Sequence, residues 1–115
     1  MSKKVQRGDV VYLDFGKTET QPIEKKRPAV VVQNDVGNQF SPATIVAAIH
    51  HEAGKGLPIH VSVPAGVGGL TKASVVDCGI LSTIRLSDLG APIGRLPAVY
   101  MIQVDLALKK SLGLK

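Results

Sequence analysis

Short apolar blocks separated by polar, turn-forming stretches dominate the chain, and most of the blocks have the length of strands. "DVVYLDF" (9–15) sets Val10, Tyr12 and Asp14 against Val11, Leu13 and Phe15, the period-two alternation of a strand with one face more polar than the other. "AVVVQ" (29–33) and "TIVAAIH" (44–50) are apolar on both faces, which predicts strands covered on both sides. Between them "NDVGNQFSP" carries Asn, Gly and Pro and reads as a turn. "PIHVSV" (58–63) and "SVVDCGIL" (74–81) are a fourth and a fifth strand, with "AGVGGL" a flexible turn between them. The polar stretch "GKTETQPIEKK" (16–26) is too long for a tight hairpin and has the character of a functional loop. In "LPAVYMIQVDLALKKSLGL" the period changes. Val99, Ile102 and Leu106 recur at helical spacing, Pro97 suits a first turn, and Lys109 and Lys110 sit where the helix dipole favours cations.

Five or so strands, a closing helix and no βαβ rhythm predict a mainly β (α+β) fold. The expected form is a small, strongly bent antiparallel sheet, an SH3-like partial barrel with a C-terminal helix. A chain of 115 residues with no internal repeat fits one domain spanning 1–115. Tyr12, Phe15, Phe40 and Tyr100 are the only aromatic residues, so the core is expected to be aliphatic. The same scarcity weakens any picture of single-stranded nucleic acid held by rows of stacking rings.

Charge sharpens the functional question. Fourteen Lys+Arg against nine Asp+Glu give a net +5, a balance that attracts polyanions, nucleic acid first among them. Cys78 is the single cysteine, which rules out an internal disulfide framework and suits a reducing interior. No apolar signal core follows "MSKKVQRGD", and no apolar run is long enough to span a membrane, so a cytoplasmic protein without membrane contact is expected.

The chemistry-bearing residues are few. "KKRPAVVVQND" sets Lys25, Lys26 and Arg27 against an apolar strand. Arg27 offers a planar fork of donors suited to phosphate oxygens, and Pro28 biases it toward an extended backbone. A solvated strand end is the plainer alternative for the same cations. His50 and His51 close the most apolar strand and, by alternation, point to opposite faces. An imidazole can take or give a proton near pH 7, which a guanidinium does not readily do. His60 lies mid-strand. The spacing of His50, His51, His60 and Cys78 matches no zinc motif, and Cys78 among apolar neighbours lacks the setting of a nucleophile. Arg7-Gly8-Asp9 reads as a turn into the first strand. The Walker loop, the dinucleotide fingerprint and the nucleophile elbow are all absent from the sequence.

The order of segments resembles the MazF/PemK toxins of type II toxin–antitoxin systems over nearly the whole chain. "RGDVVYLDF", "RPAVVVQNDVGNQFSPATIVAAI", "LPIHVSV", "SVVDCGILSTIRL" and "VDLALKKSLGL" carry it, with "RPAVVVQND" and "SPATIVAAI" the most specific. The resemblance implies a dimeric CcdB/MazF-like sheet fold and metal-independent cleavage of single-stranded RNA, with no cofactor. It also implies a cognate, MazE-like antitoxin whose acidic tail fills the RNA groove. Arg27 matches the family's Arg-Pro position and would stabilise the phosphorane; His50 occupies the place of a usual Thr or Ser and would transfer protons beside it. Thr20, Gln21, Lys25, Lys26, His60 and Ser82 would contact RNA.

Three departures separate the chain from its relatives. Gln21-Pro22-Ile23-Glu24-Lys25-Lys26 replaces a Ser-Glu-Gln-Gly-Gly-like stretch, His50 replaces a hydroxyl, and Ile80-Leu81-Ser82-Thr83 replaces Gln-Ile-Arg-Thr. Two readings stay open at this level. One is an active nuclease with a shifted recognition sequence. The other is a weakened toxin-fold module that binds antitoxin, RNA or a protein target such as gyrase without cutting. A plain SH3-like interaction domain fits the composition and leaves the resemblance without an explanation.

Overall fold

The structure is a computed structural model that describes residues 5–14, 26–51 and 56–115. Its elements are β1 (Asp9–Asp14), β2 (Lys26–Val31), α1 (Asp35–Phe40), β3 (Ala43–His50), β4 (His60–Val63), β5 (Ser74–Arg85), a 3-10 turn at Leu86–Asp88, β6 (Gly94–Arg95) and α2 (Ala98–Leu112). The strands form one six-stranded antiparallel sheet in the order β4-β5-β3-β2-β1-β6, curled into a half-barrel with α2 against β4 and β5. The expected mainly β fold with a terminal helix is the fold observed.

The two faces of the sheet carry separate aliphatic clusters, as strands apolar on both sides require. One contains Val10, Val30, Ala47, Ile49, Val61, Val63, Val76 and Cys78 and closes against Val104 and Ala107 of α2. The other contains Val5, Val11, Leu13, Ala29, Val31 and Val46, with Ile84, Leu86 and Leu89 packed at its edge. The first cluster is the larger, and the helix covers it. The second lies on the face of the sheet turned away from that cluster.

Three features differ from the sequence expectation. "DVGNQF", expected as a turn, is the short helix α1, because Asn34 caps it by accepting from the Gly37 N–H at 2.8 Å. The buried Asn38 then locks it to the sheet, accepting from Thr44 Oγ1 at 2.6 Å and from Gln33 Nε2 at 3.0 Å. The fifth strand runs four residues beyond its expected end at 81, through a bulge described below. In α2, Val99, Ile102 and Leu106 face outward, 59%, 60% and 55% exposed, while Tyr100, Met101, Val104, Ala107 and Leu108 pack inward. The stripe that announced the helix is therefore not the stripe that anchors it. Gly113, at φ +71, ends the helix in the left-handed conformation, with Lys109 and Lys110 in its last turn as expected.

Arg7-Gly8-Asp9 is a structural turn. The Arg7 side chain donates to the Val32 carbonyl at 2.7 Å and to Asp105 Oδ1 of α2 at 2.6 Å, and its N–H donates to Asp35 Oδ1 at 2.6 Å. One residue thus ties the start of the chain to α1, β2 and α2. The Arg7 N–H, followed by the Asn38 side chain, holds the Asp35 carboxyl below its usual range despite some desolvation.

Candidate functional site

Alternation along the strands sorts the candidate residues by face. Ala29 and Val31 belong to the second cluster, so Arg27 of β2 points the same way. Val46 does too, which brings Ala48 and His50 of β3 to that face. Val61, Val63, Val76 and Cys78 lie on the opposite face, so His60 of β4 and Asp77 of β5 turn toward the second one.

Register brings these residues into neighbouring positions. β2 and β3 pair Ala29 with Ala48 and Val30 with Ala47; Arg27 lies two residues before Ala29 and His50 two residues after Ala48, on the same face beyond the last pair. β5 pairs Asp77 with Ala48 on one side and with His60 on the other. Directly opposite residues of an antiparallel pair have Cα atoms about 4.5–5.5 Å apart, so side chains from adjacent positions share one patch. The row Ala29–Ala48–Asp77–His60 has only methyl groups at its β2 and β3 places, which keeps the patch shallow beside Arg27 and His50.

A bulge in β5 sets this arrangement. β3 pairs Ala47 with Leu81 and the next residue, Ala48, with Asp77, so Cys78, Gly79 and Ile80 have no partners on β3. The Cys78 N–H instead donates to the Ile59 carbonyl at 2.9 Å, and the Gly79 N–H turns back to Asp77 Oδ1 at 2.9 Å. The bulge therefore fixes one oxygen of Asp77 and aims the other at the histidines.

Asp77 Oδ2 lies 3.3 Å from the Nε2 atoms of both His50 and His60, and the two rings meet edge to face with centroids 5.9 Å apart. The carboxylate is 12% exposed, His60 13% and His50 22%, so His50 presents the most open edge of the three. Among the described residues the buried Nδ1 atoms of both histidines have no hydrogen-bond partner, which leaves Nε2 as the nitrogen that meets neighbouring groups. Burial alone would raise the Asp77 carboxyl. The Gly79 N–H, the hydrogen bond from His50 and the charges of His60 and His50 outweigh it, and the group is held below the usual carboxylate range. Asp77 is thus an anion between two imidazoles.

The other candidates divide plainly. Arg27 and Lys26 are exposed at the mouth of β2. Ser82, opposite Val46, shares the face of the second cluster and is half-buried on the far side of the bulge from Asp77. His51 is exposed beyond the end of β3. Thr20, Gln21 and Lys25 lie outside the described residues. Cys78 is fully buried with its thiol raised to about 11, by burial first and by the Asp77 charge second, which suits an inert core residue.

Asp77 is the site residue that sequence reasoning missed. The available signal was a lone acid inside the apolar run "SVVDC", since a carboxylate in a buried strand needs partners.

Comparisons with known proteins converge on one group. The family model described as "PemK-like, MazF-like toxin of type II toxin-antitoxin system" matches residues 6–112. Endoribonuclease EndoA of Bacillus subtilis (strain 168) is 40% identical over 111 residues, covering 96% of each chain. Endoribonuclease MazF of Staphylococcus epidermidis is 37% identical over 111 residues, covering 96% of this chain and 92% of its own. Among solved structures, an endoribonuclease in complex with its cognate antitoxin, from a mycobacterial species, superimposes with a TM-score of 0.82. It is 21% identical and covers 96% of this chain and 97% of its own, and at that identity the likeness is one of fold.

Proposed function

Because the chain belongs to the PemK-like, MazF-like toxins of type II toxin–antitoxin systems, we propose that it cuts single-stranded RNA at short sequences, independently of metal, through Arg27 and His50. The matched relatives are endoribonucleases, and this chain is an enzyme of that class. Its substrate is read as cytoplasmic messenger RNA, handled by one domain spanning 1–115.

The reaction needs three things: removal of the ribose 2′-OH proton, a proton for the leaving 5′ oxygen, and fixed positive charge beside the pentacoordinate phosphorus. The 2′ oxygen bonds to phosphorus, the P–O5′ bond breaks, and a 2′,3′-cyclic phosphate and a 5′-OH end result. Arg27 supplies the fixed charge, a term that dominates where electrostatic stabilisation carries catalysis. His50 transfers protons from Nε2. Its Nε2–H is turned to Asp77 Oδ2 at 3.3 Å, longer than the 2.7–2.9 Å usual for a charge-assisted bond, so that proton is loosely held and can pass to the leaving 5′ oxygen. Asp77 is a positioning residue that sets the ring and its tautomer. Lys26 and His60 line the approach of the RNA, and Ser82 borders it across the bulge. Thr20, Gln21 and Lys25 complete the same reading from the loop before β2.

The observation that carries the reading is the common face of Arg27 and His50, on neighbouring strands and beside an anion that orients the imidazole. It also favours activity over the non-cutting module, since a hydroxyl has been replaced by a residue with its own carboxylate partner. A MazE-like antitoxin with an acidic tail suits the +5 charge and would occupy the face that carries Arg27 and His50. A second copy of the chain covers Val99, Ile102 and Leu106, which would otherwise leave an apolar seam in water.

The test is incubation of untagged protein with a long single-stranded RNA in EDTA, followed by mapping of 5′ ends. Discrete cuts bearing 5′-OH, lost in Arg27→Ala and strongly reduced in His50→Ala, are the expected result. Intact RNA together with retained antitoxin binding would overturn the nuclease and leave the binding module.

A further inference from the structure

The cluster at the end of β3 offers more than proton transfer. His50, His60 and Asp77 present three potential metal-ligand atoms within 4.8 Å of one another. We propose that His50 Nε2, His60 Nε2 and Asp77 Oδ2 form a binding site for a zinc-like divalent ion, and that the ion, when bound, takes His50 out of catalysis. The second half of this statement rests on the role given to His50 above; the first does not.

The geometry is specific. Zinc bonds to imidazole nitrogen and carboxylate oxygen are about 2.0–2.2 Å long, and a tetrahedron with such bonds has edges of about 3.4 Å. The two edges from Asp77 Oδ2 to the imidazole nitrogens are both 3.3 Å. The third edge, between the two nitrogens, is at most 4.8 Å and shortens by rotation of the more exposed His50 ring. Two imidazoles and one carboxylate suit zinc and its neighbours, and a three-ligand set leaves a fourth position for water or a phosphate oxygen.

The surroundings also resemble a metal site. A ligating carboxylate is itself held by a hydrogen bond, and here Oδ1 is held by the Gly79 N–H at 2.9 Å while Oδ2 is left to the ligand cluster. The site would be modest in affinity. With Nε2 on the metal, each ring carries its proton on Nδ1, and both Nδ1 atoms are buried with no acceptor among the described residues. Missing support of this kind costs about 10–100-fold per ligand, which keeps the ion removable. An Nε2 bound to the ion has neither a proton to give nor a free lone pair to take one, so occupancy switches the nuclease off.

Untagged full-length protein titrated with cobalt(II), followed by visible absorption, reads binding independently of any activity. Saturation at one ion per chain, with intense tetrahedral bands displaced by zinc, is expected. His60→Gln and Asp77→Asn, each checked for native circular dichroism, should weaken zinc binding at least 10-fold. Absence of saturable binding up to about 100 µM, or unchanged binding in both folded variants, overturns the site. In the cleavage assay, zinc should suppress cutting with the same midpoint and EDTA should restore it. Binding without suppression overturns the switch. RNA that is never cut, with or without zinc, leaves the cobalt result standing and counts against the nuclease reading instead.

Discussion

If Arg27 and His50 act on one phosphate, their removal should not be multiplicative. The perturbation is a double-mutant cycle: Arg27→Ala, His50→Ala and both together. Arg27 is exposed at the mouth of β2, so its charge is partly screened until RNA covers it. Loss of one donor at a developing anion costs about 10²–10³-fold, and arginines at phosphoryl centres reach about 10³–10⁵, so about 10³ is expected for Arg27→Ala. Proton transfer by a positioned side chain is worth about 10²–10⁴-fold. Independent residues would then lose about 10⁵-fold or more together. Both instead flank the Ala29–Ala48 pair on one face, the placement expected of residues that share one phosphate group. The double variant should therefore fall no more than about 10-fold below the worse single variant, as residues that work as a unit do. Single-turnover cleavage of a short RNA carrying a fluorophore and quencher, in EDTA with enzyme in excess, measures all four rates. A fully multiplicative double variant, or an Arg27→Ala rate within a factor of about 10 of the parent, would refute the shared-phosphate argument.

Three further outcomes can be checked on the purified protein. Ile102→Glu places a carboxylate in the centre of the Val99–Ile102–Leu106 seam. Each of those side chains has more than half its surface to bury, worth roughly 1 kcal/mol apiece per chain, so multi-angle light scattering should show a shift from dimer to monomer, and an unchanged mass would show that the seam is not the interface. Gly94→Ala should lower stability by about 2–4 kcal/mol in thermal unfolding, because a Cβ there overlaps the Gly68 backbone, which has no flexible end to yield; an unchanged midpoint would contradict the close approach. The Cys78 thiol, at about 11 against an ordinary 9.0, keeps a proton that the unfolded chain releases, so stability should fall by about 2–3 kcal/mol as pH rises from 9 to 11, and Cys78→Ala should flatten that slope in urea titrations.

Much of the fold was legible because the strands announce themselves by local pattern. Val10, Val11 and Leu13, and the unbroken run from Ala29 to Val32, are apolar for the same reason that they are buried on two faces. The helix was legible by period but not by face. Val99, Ile102 and Leu106 satisfy a helical spacing as well as Tyr100, Val104, Ala107 and Leu108 do, and nothing local decides which stripe meets the sheet. The choice is made by α2 closing over the β4–β5 end of the larger cluster. Helix α1 was hidden for a different reason: Asn34 and Gly37 favour turns and caps alike, and Asn38 earns its burial only from Thr44 and Gln33 across the fold.

The candidate site shows the same limit in a sharper form. Arg27 and His50 could be placed together because each borders a strand that pairs with the other, and pairing between sequence-adjacent strands is a local inference. Asp77 could not, because its position depends on a shift of register. A regular β5 would continue the pairing of Ala47 with Leu81 by setting Ala48 opposite Ile80, an apolar residue that is in fact half exposed. The three unpaired residues Cys78, Gly79 and Ile80 move Asp77 into that place instead. Gly79 is the residue that lets the chain turn there, returning its N–H to Asp77, and a Cβ at that position would crowd both Ile59 and the carboxylate. The family resemblance puts His50 where a hydroxyl is usual, and the structure matches that histidine with a carboxylate brought in by the bulge. An imidazole substituted alone would be a buried ring with nothing to fix its tautomer. With Asp77 beside it, the same substitution becomes a group that can exchange protons, and with His60 on the other side of that carboxylate, one that can also bind a metal ion.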